Sequence, residues 1–132
     1  MNSEAEKQQS PNNWKEVKLS RRFFHAFRGL YVLVKVIRHI IIYVVSAALI
    51  IIFGFYFHIT SNEWMALVLS IGLVLISEAF NTAIEIDIDL TSPEYHPYAR
   101  DTKDVAAGAV LLSAMTAVIV GLIIFIPKIF IK

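Results

Sequence analysis

The chain has 132 residues, of which 57% are hydrophobic and 17% charged, and its mean hydropathy is +0.63. Soluble domains carry about a quarter charged residues, so this composition excludes an ordinary soluble domain and predicts a membrane protein. The length allows one domain, and the lack of cysteine excludes disulfides and thiolate chemistry.

The N-terminal part predicts a disordered tail followed by a surface helix. Residues 1–13 are polar and form the predicted tail, and no cleavable signal peptide is expected, because the first long apolar run begins near Ile40. From about residue 14 to residue 36, apolar and basic residues alternate at helical spacing. The apolar and aromatic residues are Phe23, Phe24, Phe27, Leu30, Tyr31 and Val34, and the basic residues are Lys18, Arg21, Arg22, Arg28 and Lys35. This pattern predicts an amphipathic helix in the interface plane of an anionic leaflet. A nucleic-acid-binding helix is the alternative, disfavoured because apolar spans follow at once.

Three apolar runs follow and predict three transmembrane helices, at about 38–57, 63–90 and 103–126. Basic residues crowd the N-terminal arm, and Arg100 and Lys103 lie in the second loop, whereas the first loop has neither Lys nor Arg. The positive-inside rule therefore places the N-terminus in the cytoplasm and the C-terminus outside, although Lys128 and Lys132 argue weakly against this. The residues 14–132 are expected to form one membrane domain.

The third run carries small residues at every fourth position. Ala109, Ser113, Ala117 and Gly121 form a stripe that lets helices approach closely. The stripe serves packing either within one chain or between chains, and we favour a homo-oligomer.

An acidic face on the second membrane helix is the candidate site. Glu78, Asn81, Glu85 and Asp89 fall within about 80° of one another on a helix, while Asp87 points nearly opposite. Ionisable residues at membrane depth are costly unless paired, so they mark functional sites. Carboxylates can bind divalent cations or take a proton from a hydroxyl.

Simpler interpretations exist for each of these residues. Glu85, Asp87 and Asp89 could be solvated acids at an emerging helix end, and Glu78 is the hardest to explain this way. His96 could be a surface histidine, and Lys103 an interfacial anchor. Asp104 could be the N-cap of the third membrane helix.

The run Glu78-Ala-Phe-Asn81-Thr-Ala-Ile-Glu85, followed by Asp89, Glu94-Tyr95-His96 and Lys103-Asp104-Val-Ala-Ala-Gly-Ala-Val, resembles the prokaryotic diacylglycerol kinase and undecaprenol kinase family. The resemblance implies an all-α membrane protein of the bacterial inner membrane, a homotrimer with an interfacial helix and three membrane helices. It implies ATP as phosphoryl donor, Mg²⁺ as cofactor and a membrane lipid alcohol, diacylglycerol or a polyprenol, as acceptor, with no nucleic acid. The implied roles are Glu78 as catalytic base, Glu85 as magnesium ligand, Asn81 as organiser of the site, Lys103 as a bridge to the phosphates, and Glu94, Tyr95, His96 and Asp104 as nucleotide contacts.

One departure from the family pattern affects the expected metal site. In the family the first-helix region has a Glu, then an Asn, an Arg and a His at two-residue steps, and here these positions are Ile37, His39, Ile41 and Tyr43. The Glu that would share the metal with Glu85 is thus replaced, and no acid lies between Glu16 and Glu63. One or two carboxylates often suffice for magnesium on ATP, so we expect reduced activity more than inactivity.

Two other classes of function compete with the kinase. The Ile37 departure motivates a catalytically impaired homologue that acts as a membrane scaffold or lipid-binding protein. Glu78 would also suit a small cation carrier, which leaves the loop from Glu94 to Asp104 unexplained.

Overall fold

The protein is built from four helices in a computed structural model that describes residues 19–36 and 40–130. They are α1 (Leu19–Val36), α2 (Ile40–Tyr56), α3 (Ser61–Thr91) and α4 (Pro97–Phe130), and no strand occurs within the described ranges. The predicted all-α class is therefore confirmed. The predicted disordered tail and Ile37 lie outside the described residues.

Helix α1 forms a unit of its own in the basic N-terminal part of the chain. It carries the aromatic residues Phe23, Phe24 and Phe27 together with Arg21, Arg22 and Arg28, and all six are exposed. An 18-residue helix of this kind has an apolar side with no protein partner within its own unit, as an interfacial helix requires. Its location at a membrane surface remains a prediction.

Helices α3 and α4 are each long and apolar enough to cross a membrane. Helix α2 has 17 residues without a charged side chain, which is at the lower end of the length needed for a span. Two helices, α3 and α4, thus meet the requirement by length and composition. The first predicted span, which would use α2, stays a prediction.

The turn between α2 and α3 is tightly built. Ile59 N donates to Gly54 O at 3.2 Å, and His58 adopts a φ of 49°, which reverses the chain. Thr60 then caps α3 with a capping box: its backbone N–H donates to Glu63 Oε2 at 2.6 Å, and its side chain accepts from Glu63 N at 3.4 Å. Such a cap satisfies the backbone donors that a helix start leaves open.

Helices α3 and α4 pack against each other, and their closest apolar packing lies near this same turn. Ile59, Leu67 and Ile124 form the buried cluster, with relative exposures of 7%, 2% and 5%. At the same end Lys128 of α4 lies 3.1 Å from Glu63 of α3. The ion pair and the cluster together fix the register of α4 against α3.

Helix α4 begins earlier than the sequence predicts. The helix starts at Pro97 and not near residue 103, because proline fits the first turn, where its missing N–H costs nothing. Lys103 and Asp104 therefore lie in the second turn of α4. Asp104 is not the N-cap of this helix, which corrects that alternative.

Candidate functional site

The acidic face predicted on α3 exists and carries a buried amide at its centre. Asn81 is only 8% exposed, while Glu78 and Glu85 are half-buried and Asp87 is exposed. The Asn81 side-chain amide donates to Glu85 Oε1 at 3.0 Å. The Asn81 carboxamide oxygen is buried and has no hydrogen-bond partner among the described residues. Asn81 thus orients the Glu85 carboxylate, and it does so from the helix that also carries Glu78.

The two glutamates lie at different levels along α3. Glu85 follows Glu78 by seven positions, which is two turns and about 10 Å along the helix axis. Asn81 lies between them, so the polar face extends over these two turns.

Tyr43 of α2 lies close to the acidic face of α3. Its side chain is near enough to Glu78 for the charge of that carboxylate to act on its hydroxyl. Tyr43 is half-buried near the start of α2. Sequence reasoning noted this position only as a departure from the family pattern, because periodicity within one helix does not reveal a contact between two helices.

Lys103 turns towards the acidic face from α4. Its ammonium group lies 2.5 Å from Asp89 Oδ1, and this hydrogen bond raises the pKa of Lys103, with a further contribution from the charge of Glu85. The lysine therefore stays protonated over the whole physiological range. Asp89 was predicted on the same face as Glu85 but was not assigned a role, and the structure identifies it as the partner of Lys103.

The loop between α3 and α4 borders a cavity of about 300 Å³. The cavity is lined by the five residues for which the resemblance implies phosphate or nucleotide contacts: Glu94, Tyr95, His96, Lys103 and Asp104. Its other polar lining residues, to which no role was assigned, are Asp89, Ser92 and Arg100. All five residues of the loop and of α4 that the resemblance assigns to the nucleotide and its phosphates therefore line this one cavity. Charges of both signs line this cavity.

Two local contacts shape the wall of this cavity. Arg100 Nε lies 3.5 Å from Asp104 Oδ2, one turn further along α4, which holds the guanidinium beside the opening. His96 Nδ1 accepts from the backbone N–H of Tyr98 at 3.3 Å, and the two rings lie 5.6 Å apart. This hydrogen bond and ring contact hold the exposed imidazole against the first turn of α4.

An apolar groove of about 650 Å³ runs between α2, α3 and α4. Its lining includes Ile50 and Phe53 of α2, Leu75 of α3 and Phe125 of α4, and Tyr43 also lines it. The polar cavity and the apolar groove are distinct spaces with different chemistry. The arrangement can accept a charged ligand in one and hydrocarbon in the other.

Part of the small-residue stripe on α4 packs within the chain. Ser113 is 5% exposed, and its hydroxyl donates to Val110 O at 2.8 Å, whereas Ala109 is exposed. Packing within the chain therefore accounts for Ser113, and Ala109 remains available on the surface of a single chain.

Comparison with known proteins agrees with the motif from Glu78 to Val110. The family model of prokaryotic diacylglycerol kinase matches residues 24–125. The undecaprenol kinase of Bacillus subtilis is 39% identical over 108 residues, covering 82% of this chain and 88% of that protein. The diacylglycerol kinase of Synechocystis is 46% identical over 71 residues, covering 53% of this chain and 41% of that protein. The diacylglycerol kinase of Escherichia coli (strain K12) is 32% identical over 75 residues, covering 57% of this chain and 62% of that protein. The chain therefore belongs to the prokaryotic diacylglycerol kinase family, a family of helical membrane lipid kinases, as its motifs predict.

Proposed function

We propose that this protein transfers the γ-phosphoryl group of ATP to the hydroxyl of a membrane lipid, either diacylglycerol or undecaprenol. The observation that carries the proposal is the arrangement on α3, where Glu78 and Glu85 share a face at two levels, two turns apart along the helix. The proposal assigns the base for the lipid hydroxyl to Glu78 and the ligand for the nucleotide's metal to Glu85.

In the proposed reaction the Glu78 carboxylate accepts the proton of the lipid hydroxyl. The hydroxyl oxygen forms a bond to the γ-phosphorus, the bond from that phosphorus to the β,γ-bridging oxygen breaks, and ADP leaves. Glu78 suits this role because it lies at membrane depth, where the acceptor hydroxyl is found, and not in the polar loop. Positioning and charge stabilisation supply most of the catalysis in phosphoryl transfer.

Lys103 and the loop cavity would hold the nucleotide. The Lys103 ammonium group keeps its positive charge and pairs with the exposed Asp89 carboxylate, so it can exchange Asp89 for a phosphate oxygen. The cavity lined by Glu94, Tyr95 and Asp104 offers polar and aromatic groups at the mouth of this site. His96 presents its ring there as well.

The residues fit a magnesium ion that arrives with the nucleotide. No group of three or more His, Cys, Asp or Glu side chains that could hold a metal occurs in the described ranges. Glu85, oriented by Asn81, offers one carboxylate, and magnesium on ATP needs only one or two. The bound ion would supply charge neutralisation at the phosphates. A site of this kind binds the metal weakly in the absence of ATP.

The proposed location is the bacterial inner membrane, with the N-terminus and the α3–α4 loop in the cytoplasm, where ATP is available. The ion pair between Glu63 and Lys128 supports this orientation. Lys128 lies at the end of α4 that this orientation places outside, and Glu63 neutralises its positive charge.

We also infer a homotrimer, as the resemblance implies, with the exposed Ala109 edge of α4 as one candidate contact. Crosslinking in native membranes would test it, and a dimer or monomer would contradict it.

The deciding experiment measures transfer of labelled γ-phosphate from MgATP in detergent micelles that contain diacylglycerol or undecaprenol. Glu78→Gln is expected to lose transfer by at least about a thousandfold, since it removes the base and leaves the shape. Asp87→Asn is the matched control on the opposite face of α3, and it should keep near-normal transfer. Equal loss in both variants would contradict the proposed base.

The replacement of the family's metal-ligand Glu by Ile37 favours one alternative function. In this alternative the protein is an impaired homologue that binds lipid without phosphorylating it. Folded, assembled protein that transfers no label to either lipid, yet still binds lipid, would support that alternative. Label in one lipid only would establish the kinase and name its acceptor.

A further inference from the structure

We propose that Arg100 is a second phosphate-binding cation, which holds the nucleotide on the side away from the reacting γ-phosphoryl group. The inference rests on the proposed function and adds a residue of α4 to which neither the acidic face nor the resemblance assigns a role. It deepens that function by naming a further contact to the phosphoryl donor.

The cavity beside the α3–α4 loop has more carboxylates than cations in its wall. Asp89, Glu94 and Asp104 are its acidic residues, and Arg100 and Lys103 are its basic residues. MgATP is an anion, so the carboxylates repel it unless cations in the same wall offset them. Lys103 already pairs with Asp89, and without Arg100 it would be the one cation beside three carboxylates. Binding of a nucleotide here therefore favours a role for the second cation.

The Arg100 guanidinium can leave its present partner at little cost. Its Nε lies 3.5 Å from Asp104 Oδ2, which is longer than the about 3.2 Å that limits a good hydrogen bond between nitrogen and oxygen. The two side chains are 66% and 67% exposed, and exposed ion pairs of this kind add little stability. A guanidinium can donate two parallel hydrogen bonds to one phosphate group. A phosphate is therefore a better partner for Arg100 than the carboxylate that it now faces.

The order of residues along α4 indicates which phosphates Arg100 reaches. Arg100 precedes Lys103 by three positions, which places both on one side of α4 and about 4.5 Å apart along its axis. Helix α4 runs antiparallel to α3, because Lys103 pairs with Asp89 whereas Lys128 pairs with Glu63. Arg100 is thus further along the axis from the level of Glu78 than Lys103 is. The phosphates beside it are those nearer the nucleoside, which ATP and ADP share.

This position predicts an effect on nucleotide binding and not on turnover. A contact to phosphates that do not react is equally strong before and during the transfer, so its loss changes KM and leaves kcat. Arg100→Ala should raise the KM for MgATP by about threefold to tenfold, less than a buried contact would, because the guanidinium is exposed. The inhibition constant of the product ADP should rise by the same factor, and kcat should stay within about twofold.

Two variants separate a direct contact from a general effect of charge. Arg100→Lys keeps the positive charge but loses the planar pair of donors, so its KM should lie between those of the wild type and Arg100→Ala. Asp101→Asn is the matched control, because Asp101 is the exposed neighbour of Arg100 and does not line the cavity. Its KM for MgATP should stay within about twofold of the wild-type value.

An unchanged KM in Arg100→Ala would overturn the inference. A raised KM with unchanged inhibition by ADP would also overturn it, since the contact would then be to the γ-phosphate. The same holds if Asp101→Asn lowers KM by as much as Arg100→Ala raises it, because charge at a distance would then explain both.

A binding measurement does not need activity and keeps this inference apart from the proposed reaction. The dissociation constant of labelled MgATP is measured by equilibrium dialysis in detergent for the Glu78→Gln protein, with and without Arg100→Ala. Arg100→Ala should weaken binding by about the factor seen in KM, and equal binding in both proteins would overturn the inference. Retained transfer in Glu78→Gln would instead overturn the proposed base and leave the role of Arg100 standing.

Discussion

The close approach of α2 to α3 at Gly54 predicts that even a single methyl group there destabilises the protein. Gly54 is buried in the last turns of α2. A Cβ atom built at this position would lie 2.7 Å and 2.9 Å from Cη2 and Cζ2 of Trp64, and 3.1 Å from Cδ1 of Ile59. Real carbon contacts do not come this close, so the Trp64 ring or the helix must move.

The magnitude follows from two opposing effects of Gly54→Ala. Overpacking a core costs about 1–3 kcal/mol, and the Trp64 ring cannot move freely because it packs on Phe55 at a centroid distance of 4.9 Å. Alanine gains about 0.5–1 kcal/mol over glycine in a helix interior. We therefore expect a net loss of about 1–2 kcal/mol in the free energy of unfolding, measured by titration with SDS from mixed micelles and followed by circular dichroism.

Two variants make the reasoning refutable. Trp64→Phe removes the two ring carbons that obstruct the new methyl group, so Gly54→Ala should cost much less in that background. Gly72→Ala on α3 is the matched control, because a Cβ there meets nothing within 4 Å and should stabilise the helix. A neutral Gly54→Ala, or an equal cost with and without Trp64, would refute the predicted clash. A loss at Gly72 would indicate that a second chain packs there.

Three further predictions concern the metal site and the turn. Ile37→Glu should lower the KM for MgATP in the phosphotransfer assay, and no change would mean that Glu85 carries the metal alone or that the first-helix alignment is wrong. The backbone hydrogen bond from Thr60 lowers the pKa of Glu63 below its ordinary value of 4.5, so its stabilisation is present above that pH and is lost as the pH falls through the lower folded value. Melting temperatures between pH 3 and 7 should show this acid loss in the wild type, and a Glu63→Gln protein with the same pH profile would contradict it. Thr60→Ala should cost about 1 kcal/mol of unfolding free energy in the same SDS titration, and a neutral result would show that the cap is not needed.

The sequence predicts the helices well because their signals are local. The apolar runs, the spacing of the acids on α3 and the basic amphipathic pattern of α1 each depend on residues a few positions apart. The helix α3 begins at Ser61 and ends at Thr91, close to the predicted limits of 63 and 90. Helix α4 starts at Pro97, before the predicted span that begins near residue 103, because the polar run from Pro97 to Lys103 gives no hydropathy signal although proline at the first position favours a helix.

Contacts between helices were harder to predict. The pairing of Lys103 with Asp89 joins residues 14 positions apart across a loop, and neither periodicity nor composition selects Asp89 over Glu85 as its partner. Tyr43 lies 35 residues from Glu78, on a helix whose pattern is almost uniformly apolar. The Glu63–Lys128 pair likewise depends on how α4 returns along α3. Such contacts depend on the register of packed helices, which one sequence does not specify.

The length of α3 explains how one helix can present a lipid and a nucleotide to each other. Its 31 residues extend about 46 Å, whereas the hydrocarbon core of a bilayer is about 30 Å thick. Measured from Met65, where the apolar run begins, Glu85 lies at about 30 Å and Glu78 about 10 Å short of that boundary. Asn81 lies between them with its buried amide on Glu85, so the polar face is continuous from the water into the membrane. In the proposed reaction, a base at the depth of Glu78 meets a hydroxyl that remains in the bilayer, and a metal ligand at Glu85 meets phosphates that remain in water. The two turns of α3 from Glu78 to Glu85, about 10 Å along its axis, are therefore the distance that the proposed site bridges, and the reacting γ-phosphoryl group is the part of the nucleotide that enters it.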